Sequence, residues 1–328
     1  EAAGEGFGKL TAGYGARRQA AIDGGKIGPE LTFGITMDEF FDEPVLIIKT
    51  AWGGKSLHTD FRPPSAGPYT FHESQLKNME RQGKDKIAIQ EAKKRETGVY
   101  YQQMMAHVKS VLADIGRVCP VYEPKRGFEI SGFVWLQGWN DLVDSGTYPT
   151  REFPGGYEAY SQVLTHFIRD VRRDLQVPDL PFVIGVLGVG GKNPNKQTIE
   201  FRKAMAAPAE LPEFRGNVFA VQTAPFWPED LGVIASKYDQ VRQMRFFLES
   251  KHKDHANADG SMDRSQIDDF IKTFQAKTIS VEEERLWKRG ASNAAYHYLG
   301  CAKTFALMGQ AFAKANLSMI KQEKRIQE

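Results

Sequence analysis

The chain has 328 residues, 41% of them apolar, enough to bury the core of one large α/β domain carrying insertions. Its 43 lysines and arginines nearly cancel its 41 aspartates and glutamates, so no strong net field exists to hold a polyanion and nucleic acid is not expected as a partner. Cys119 and Cys301 are too few for a disulfide framework or a four-cysteine zinc site, though one bridge between them stays open, and no apolar run approaches the ~18 residues of a membrane-spanning helix, so no membrane partner is expected.

The sequence opens on Glu1 without a basic-then-apolar leader, and the true start of the gene product is expected to have been removed by processing or truncation. The glycine-rich stretch 1–28 predicts an irregular loop that enters a helix near Pro29, a residue suited to a first helical turn, and the helix should run to about Phe41. Val45-Leu46-Ile47-Ile48 is a short continuous apolar run that predicts a buried parallel strand ending in the turn Trp52-Gly53-Gly54. After a proline-bearing loop at 62–70, residues 86–117 predict a helix, and Phe128 to Leu136 a strand. From Tyr157, apolar residues at 160, 163, 164, 167, 168, 171 and 175 have helical spacing; Phe182 to Leu187 and Asn217 to Val221 follow as buried strands. This alternation argues for a parallel sheet between helices, with chemistry beyond the carboxyl ends of its strands. Residues 226–290 break the rhythm, being charged and strandless, and predict a helical insertion or cap. A closing helix places Tyr298, Ala302, Phe305, Gly309 and Phe312 on one face.

Gly138-Trp139-Asn140-Asp141 leaves the strand Phe133-Val134-Trp135-Leu136 at the edge where chemistry is expected. A glycine admits close backbone approach, and an asparagine amide is a fixed neutral donor suited to a developing oxyanion. Alone, the segment reads equally as a turn. Gly28, at the start of the first helix where free N–H groups point outward, is a candidate second oxyanion donor, although glycine-proline is also an ordinary helix entry. His297, in a predicted loop before the last helix, is a candidate general base. Trp52, Trp139 and Lys55 stand on loops beyond strand ends, where rings could stack on a sugar and an ammonium could meet its oxygens; they could equally plug the core. Gln137 completes this candidate substrate-binding set.

Gly28-Pro29-Glu30, the run Ile47-Ile48-Lys49-Thr50-Ala51-Trp52-Gly53-Gly54-Lys55-Ser56-Leu57, the run Val134-Trp135-Leu136-Gln137-Gly138-Trp139-Asn140-Asp141 and the late His297 together resemble the SGNH (GDSL-like) hydrolases. Within them the chain is most similar to the sialate O-acetylesterase-like and acetylxylan-esterase-like branch of carbohydrate esterases. The resemblance spans most of the chain. It implies a three-layer α/β/α sandwich with a parallel, flavodoxin-like central sheet, no cofactor and an acetylated carbohydrate as substrate. It carries the oxyanion roles to Gly28 and Asn140 and the base to His297, and it suggests a periplasmic or secreted protein. A single SGNH-type domain over 1–328, lacking its first strand and serine block, is the domain reading, with 226–290 inserted in it.

The chain departs from the family twice. The nucleophile's Gly-Gln-Ser-Asn-like turn occurs nowhere in the sequence and is expected upstream of Glu1; Ser56 and Ser131 are poor substitutes. The acid three residues before the base is absent, Ala294 holding that place, and Asn293 is a candidate orienting group only by proximity. His255 to Asp263 imitates a calcium loop but begins on histidine and has Gln266 where a bidentate glutamate is needed. Gly188 to Lys192 lacks the spacing of a phosphate loop, His72-Glu73 lacks a second histidine, and no metal site is expected. The competing functions are a carbohydrate O-acetylesterase, a non-catalytic carbohydrate-binding protein, and an interaction platform built on 226–290.

Overall fold

The computed structural model describes residues 5–15 and 25–327, the last five by backbone alone. The expected loop over 1–28 therefore lies partly outside the described residues. The chain divides into two compact units, one of Glu1–Gly188, Asn193–Pro225 and Phe305–Glu328, the other of Val189–Lys192 and Phe226–Thr304.

The first unit holds, in chain order, α1 (Glu30–Asp38), α2 (Glu73–Arg81), α3 (Lys86–Glu96), α4 (Val99–Ala113), β1 (Phe133–Trp135), α5 (Trp139–Val143), α6 (Glu158–Leu175), β2 (Phe182–Val186), α7 (Lys196–Ala206) and β3 (Val218–Gln222). The strands form a parallel sheet in the order β1-β2-β3, with Phe133 beside Phe182 and Phe182 beside Val218. Every residue of β2 is buried, as a central strand covered on both faces requires, and each large apolar side chain there stabilises the fold by about 1.5–3 kcal/mol.

Strand alternation shows which helix covers which face. Phe133, Trp135 and Phe182 share one face, where Phe167 of α6 packs on Trp135 at 4.4 Å and lies edge-on to Phe133 at 6.0 Å. Gly185 points to the opposite face, where a Cβ would fall 2.7 Å from Phe312. Phe312 belongs to α11 (Ala302–Gln327), which with α1 forms the second cover: Met37, Ala313, Leu317 and Ile320 make one buried cluster, and Thr32 Oγ1 donates to Ala306 O at 2.6 Å. Gly309 is what permits this approach, since a Cβ there would lie 2.1 Å from Pro29 O. The architecture is a helix–sheet–helix sandwich around a parallel sheet.

Several boundaries differ from expectation. Val45 to Ile48 forms no strand: among the described residues the run pairs with no ladder, Leu46 is 39% exposed, and Val45 packs against the α1–α11 cluster. An apolar run alone does not make a strand without partners for its N–H and C=O groups. The strand expected over 128–136 shrinks to β1, because Phe128 is exposed and follows Gly127 in the left-handed region at φ 69°. The helix expected over 86–117 breaks at Gly98, whose φ of 76° disfavours a side chain and where a Cβ would lie 2.9 Å from Arg62 O. The helix α2 was not expected; His72 caps it, its Nδ1 accepting from Ser74 N while Gln75 reaches back to the His72 N–H. Both cysteines are free thiols.

In the second unit, α8 (Glu229–Glu249), α9 (Arg264–Thr278) and α10 (Val281–Gly290) carry the charged segment. The helices α8 and α9 bury Val241, Leu248, Ile267 and Ile271 between them, and α10 is tied on by Lys237–Glu283 and by Trp287 against Tyr238 at 4.9 Å. The calcium-like loop is a turn between α8 and α9. Asn257 is buried and spends its amide on Leu248 O and Met262 N, while Asp263 caps α9. No helix among the described residues is long and apolar enough to cross a membrane.

Candidate active site

The turn after β1 is built around Gly138. A Cβ at that position would fall 2.8 Å from the Phe201 ring and 3.4 Å from Met205, so the chain can pass α7 only as glycine. It then enters the short helix α5. Asp141 and Leu142 face inward, fully or nearly fully buried, while Trp139 and Asn140 are half-buried and Val143 is 47% exposed. Helical geometry thus presents Asn140 and Val143, three residues apart, on the outer side.

The buried Asp141 carboxylate holds the turn in place. It accepts from Leu57 N at 2.7 Å, His58 N at 3.1 Å, Gln137 Nε2 at 2.7 Å and Tyr148 OH at 3.0 Å. Burial pushes its pKa up to about 6, against the pull of these four donors. The clamp joins the loop after Trp52 to the end of β1. Gly54 of that loop, at φ 73°, lies alongside Asn140, so that even a Cβ would touch the Asn140 Nδ2 at 3.8 Å. Next to the clamp, His58 Nδ1 is buried without a hydrogen-bond partner, and burial together with the Arg62 charge pushes this imidazole down to about 4.

The other expected substrate-binding residues have partners of their own. Gln137 is committed to the clamp: its Nε2 also donates to Lys55 O at 3.1 Å, and its Oε1 accepts from Tyr160 OH at 3.3 Å. Lys55 lies 4.2 Å above the Tyr100 ring and 3.5 Å from Asp60. Trp52 packs edge-on against Tyr100 at 5.4 Å. Gly28 is buried at the start of α1, and its N–H donates to Glu30 Oε1 at 3.1 Å; the other oxygen of Glu30 pairs with Lys49 at 3.1 Å. The N–H expected to meet an oxyanion thus binds a carboxylate.

Among the serines, Ser56 Oγ is engaged in its own turn by Asp60 and Thr59 N, and Ser131 lies just before β1, its carbonyl accepting from Asn316. Ser65 was not singled out in the sequence, yet its Oγ lies 2.9 Å from His166 Nδ1. The N–H groups of Ala66 and Gly67 that follow it are bonded to Pro63 O and Pro64 O and so are not offered to an oxyanion. No group of three or more His, Cys, Asp or Glu among the described residues is arranged to hold a metal ion.

His297 belongs to the second unit, on a tight 3₁₀ run over Ala295–Gly300. It is exposed, its ring lies 4.4 Å from that of Tyr296, and its Nδ1 is 3.1 Å from Asn293 Oδ1. The run is closed by Tyr298 and Leu299, both buried and both left-handed, at φ 52° and 58°. Non-glycine residues hold that conformation only when their surroundings impose it.

A family model described as carbohydrate esterase, sialic acid-specific acetylesterase, matches residues 16–224, more than half of the chain. The chain belongs to this family. No curated protein and no solved structure matches it. The family is one of carbohydrate esterases in the SGNH-like superfamily, and the matched region holds the sheet, the Asp141 clamp, Asn140 and Gly28; the match ends before Phe226, and so before His297. The clamp joins the end of the segment Ile47–Leu57 to the end of Val134–Asp141, and both segments lie within the matched residues. Sequence reasoning carried Asp141 in the motif without giving it a role, and it did not single out Tyr148.

Proposed function

We propose that the protein removes acetyl groups from an O-acetylated carbohydrate by a serine acyl-enzyme route. The nucleophile is proposed on a segment preceding Glu1. Its Oγ attacks the acetyl carbonyl carbon while His297 takes its proton; the carbon–oxygen bond to the sugar breaks as His297 returns that proton to the sugar oxygen; water, deprotonated by the same imidazole, then attacks the acyl carbon, and the bond to the serine Oγ breaks as His297 returns the proton to Oγ, releasing acetate. Asn140 Nδ2 and the Gly28 N–H are the proposed oxyanion donors. Trp52, Lys55 and Trp139 are proposed to contact the sugar, and Gln137 to act through the clamp. No cofactor takes part in this scheme.

The observation that carries this reading is the presentation of Asn140. A buried, four-bonded aspartate holds its backbone beside a glycine at the carboxyl end of a parallel strand, within the family-matched region. A donor on a backbone held in this way needs less reorganisation as charge develops, which supports the reading. The test uses protein made from the complete coding sequence: acetate release from O-acetylated sugars and labelling by a fluorophosphonate should both occur, on one serine. Deacetylation without labelling would contradict the acyl-enzyme route. One observation favours a second reading, a carbohydrate-binding protein without turnover: the Gly28 N–H is already bonded to Glu30. That reading predicts glycan binding with no acetate release.

A further inference from the structure

The family's acid has no counterpart three residues before His297, yet the imidazole is not left to its own tautomer. Asn293 Oδ1 lies 3.1 Å from His297 Nδ1. The orientation of this amide is settled by a second bond, because the Ala294 N–H donates to the same Oδ1 at 2.8 Å. An oxygen that accepts there cannot donate to the ring, so Nδ1 carries the proton and the basic lone pair sits on Nε2. Asn293 is itself immobilised. Its N–H and that of Ser292 both donate to Leu299 O, at 3.0 and 2.8 Å, across the left-handed pair Tyr298–Leu299. Gly300 follows at φ 61°, where a Cβ would lie 2.3 Å from Ser292 Oγ and 2.9 Å from Asn293 Cβ, so the turn closes on Asn293 only with glycine in that place.

We infer that Asn293 is a positioning residue for His297, orienting the ring and selecting the tautomer needed in the proposed reaction; the inference rests on the esterase reading for its function, and on the geometry alone for the tautomer. A neutral amide performs the orienting work of a carboxylate but places no charge opposite the imidazolium that forms when His297 takes a proton. An acid at this position should therefore serve as well or better, and alanine should not.

The test has two arms. In the chain described here, ¹⁵N NMR of His297 above its titration should show the proton on Nδ1 in the native protein and in Asn293→Asp, with a shift toward the Nε2-protonated form in Asn293→Ala. In protein from the complete coding sequence, Asn293→Ala should lower kcat about 10- to 100-fold with KM changed by less than about twofold, and Asn293→Asp should restore kcat or exceed it. A native ring protonated on Nε2, or a tautomer unchanged in Asn293→Ala, overturns the inference, as does an unchanged kcat in Asn293→Ala. If the complete native protein releases no acetate, the esterase reading falls while the NMR arm still decides what Asn293 does to the ring.

Discussion

Replacing His58 or Asp141 should expose two opposing proton-linked contributions that nearly cancel in the native protein. His58 is 8% exposed, its pKa is pushed from 6.5 down to about 4, and the fold is thus stabilised by keeping it neutral. That contribution is full above pH 6.5 and is lost as pH falls through 4; between pH 7 and pH 4 it falls by about 3 kcal/mol. Asp141 is fully buried with its pKa raised from 3.8 to about 6, so the fold binds its proton more tightly than the unfolded chain does. Its contribution has the opposite sign, being present below pH 3.8 and lost as pH rises through 6; between pH 7 and pH 4 it grows by about 2 kcal/mol. Urea unfolding followed by tryptophan fluorescence at pH 7, 5.5 and 4 measures both. Relative to the native protein, His58→Leu should become more stable by about 3 kcal/mol on going from pH 7 to pH 4, and Asp141→Asn less stable by about 2 kcal/mol. Differences that stay constant across this range would refute the argument that burial shifts these two groups.

The remaining predictions concern the packing that shapes the site. Tyr148→Phe removes one of the four donors to Asp141 and should cost about 1.5–3 kcal/mol at pH 7 in urea unfolding, as loss of a bond to a buried charge does; a loss under about 0.5 kcal/mol would show that the carboxylate does not depend on it. Gly138→Ala places a Cβ 2.8 Å from the Phe201 ring and should destabilise by about 1–3 kcal/mol, read as a lower Tm. Gly309→Ala meets backbone at Pro29 O, which cannot rotate away as a ring can, and should lower Tm further than Gly138→Ala. Gly54→Ala should cost about 1 kcal/mol from its left-handed φ alone, measurable by the same melt.

The fold was legible where periodicity and burial act together. The spacing from Tyr157 to Leu175 marked α6, and the unbroken run Phe182-Val183-Ile184 marked the central strand, because a strand covered on both faces must be apolar throughout. The same rule misled at Val45–Ile48, where apolar character was present and, among the described residues, a ladder partner was not. Gly98 split a helix because its neighbours Thr59 and Arg62, close in space and distant in sequence, require a left-handed residue there. Motif and position could mark Asn140 and Gly28 only as candidates, and they could not mark the clamp at all: Asp141 reaches the N–H of Leu57, a residue 84 positions away, and backbone N–H groups leave no mark in side-chain identity. Asn293 was visible as a neighbour of His297, but its orienting geometry depends on a left-handed turn that Tyr298 and Leu299 do not advertise.

The central claim, that Asn140 is held ready to stabilise an oxyanion in a carbohydrate esterase, is tested most directly by acetate release from O-acetylated sugars with native and Asn140→Ala protein made from the complete coding sequence. The account predicts turnover by the native protein and a kcat lower by about 10²- to 10³-fold in Asn140→Ala, the loss expected for one oxyanion donor. Turnover in Asn140→Ala equal to that of the native protein would contradict it.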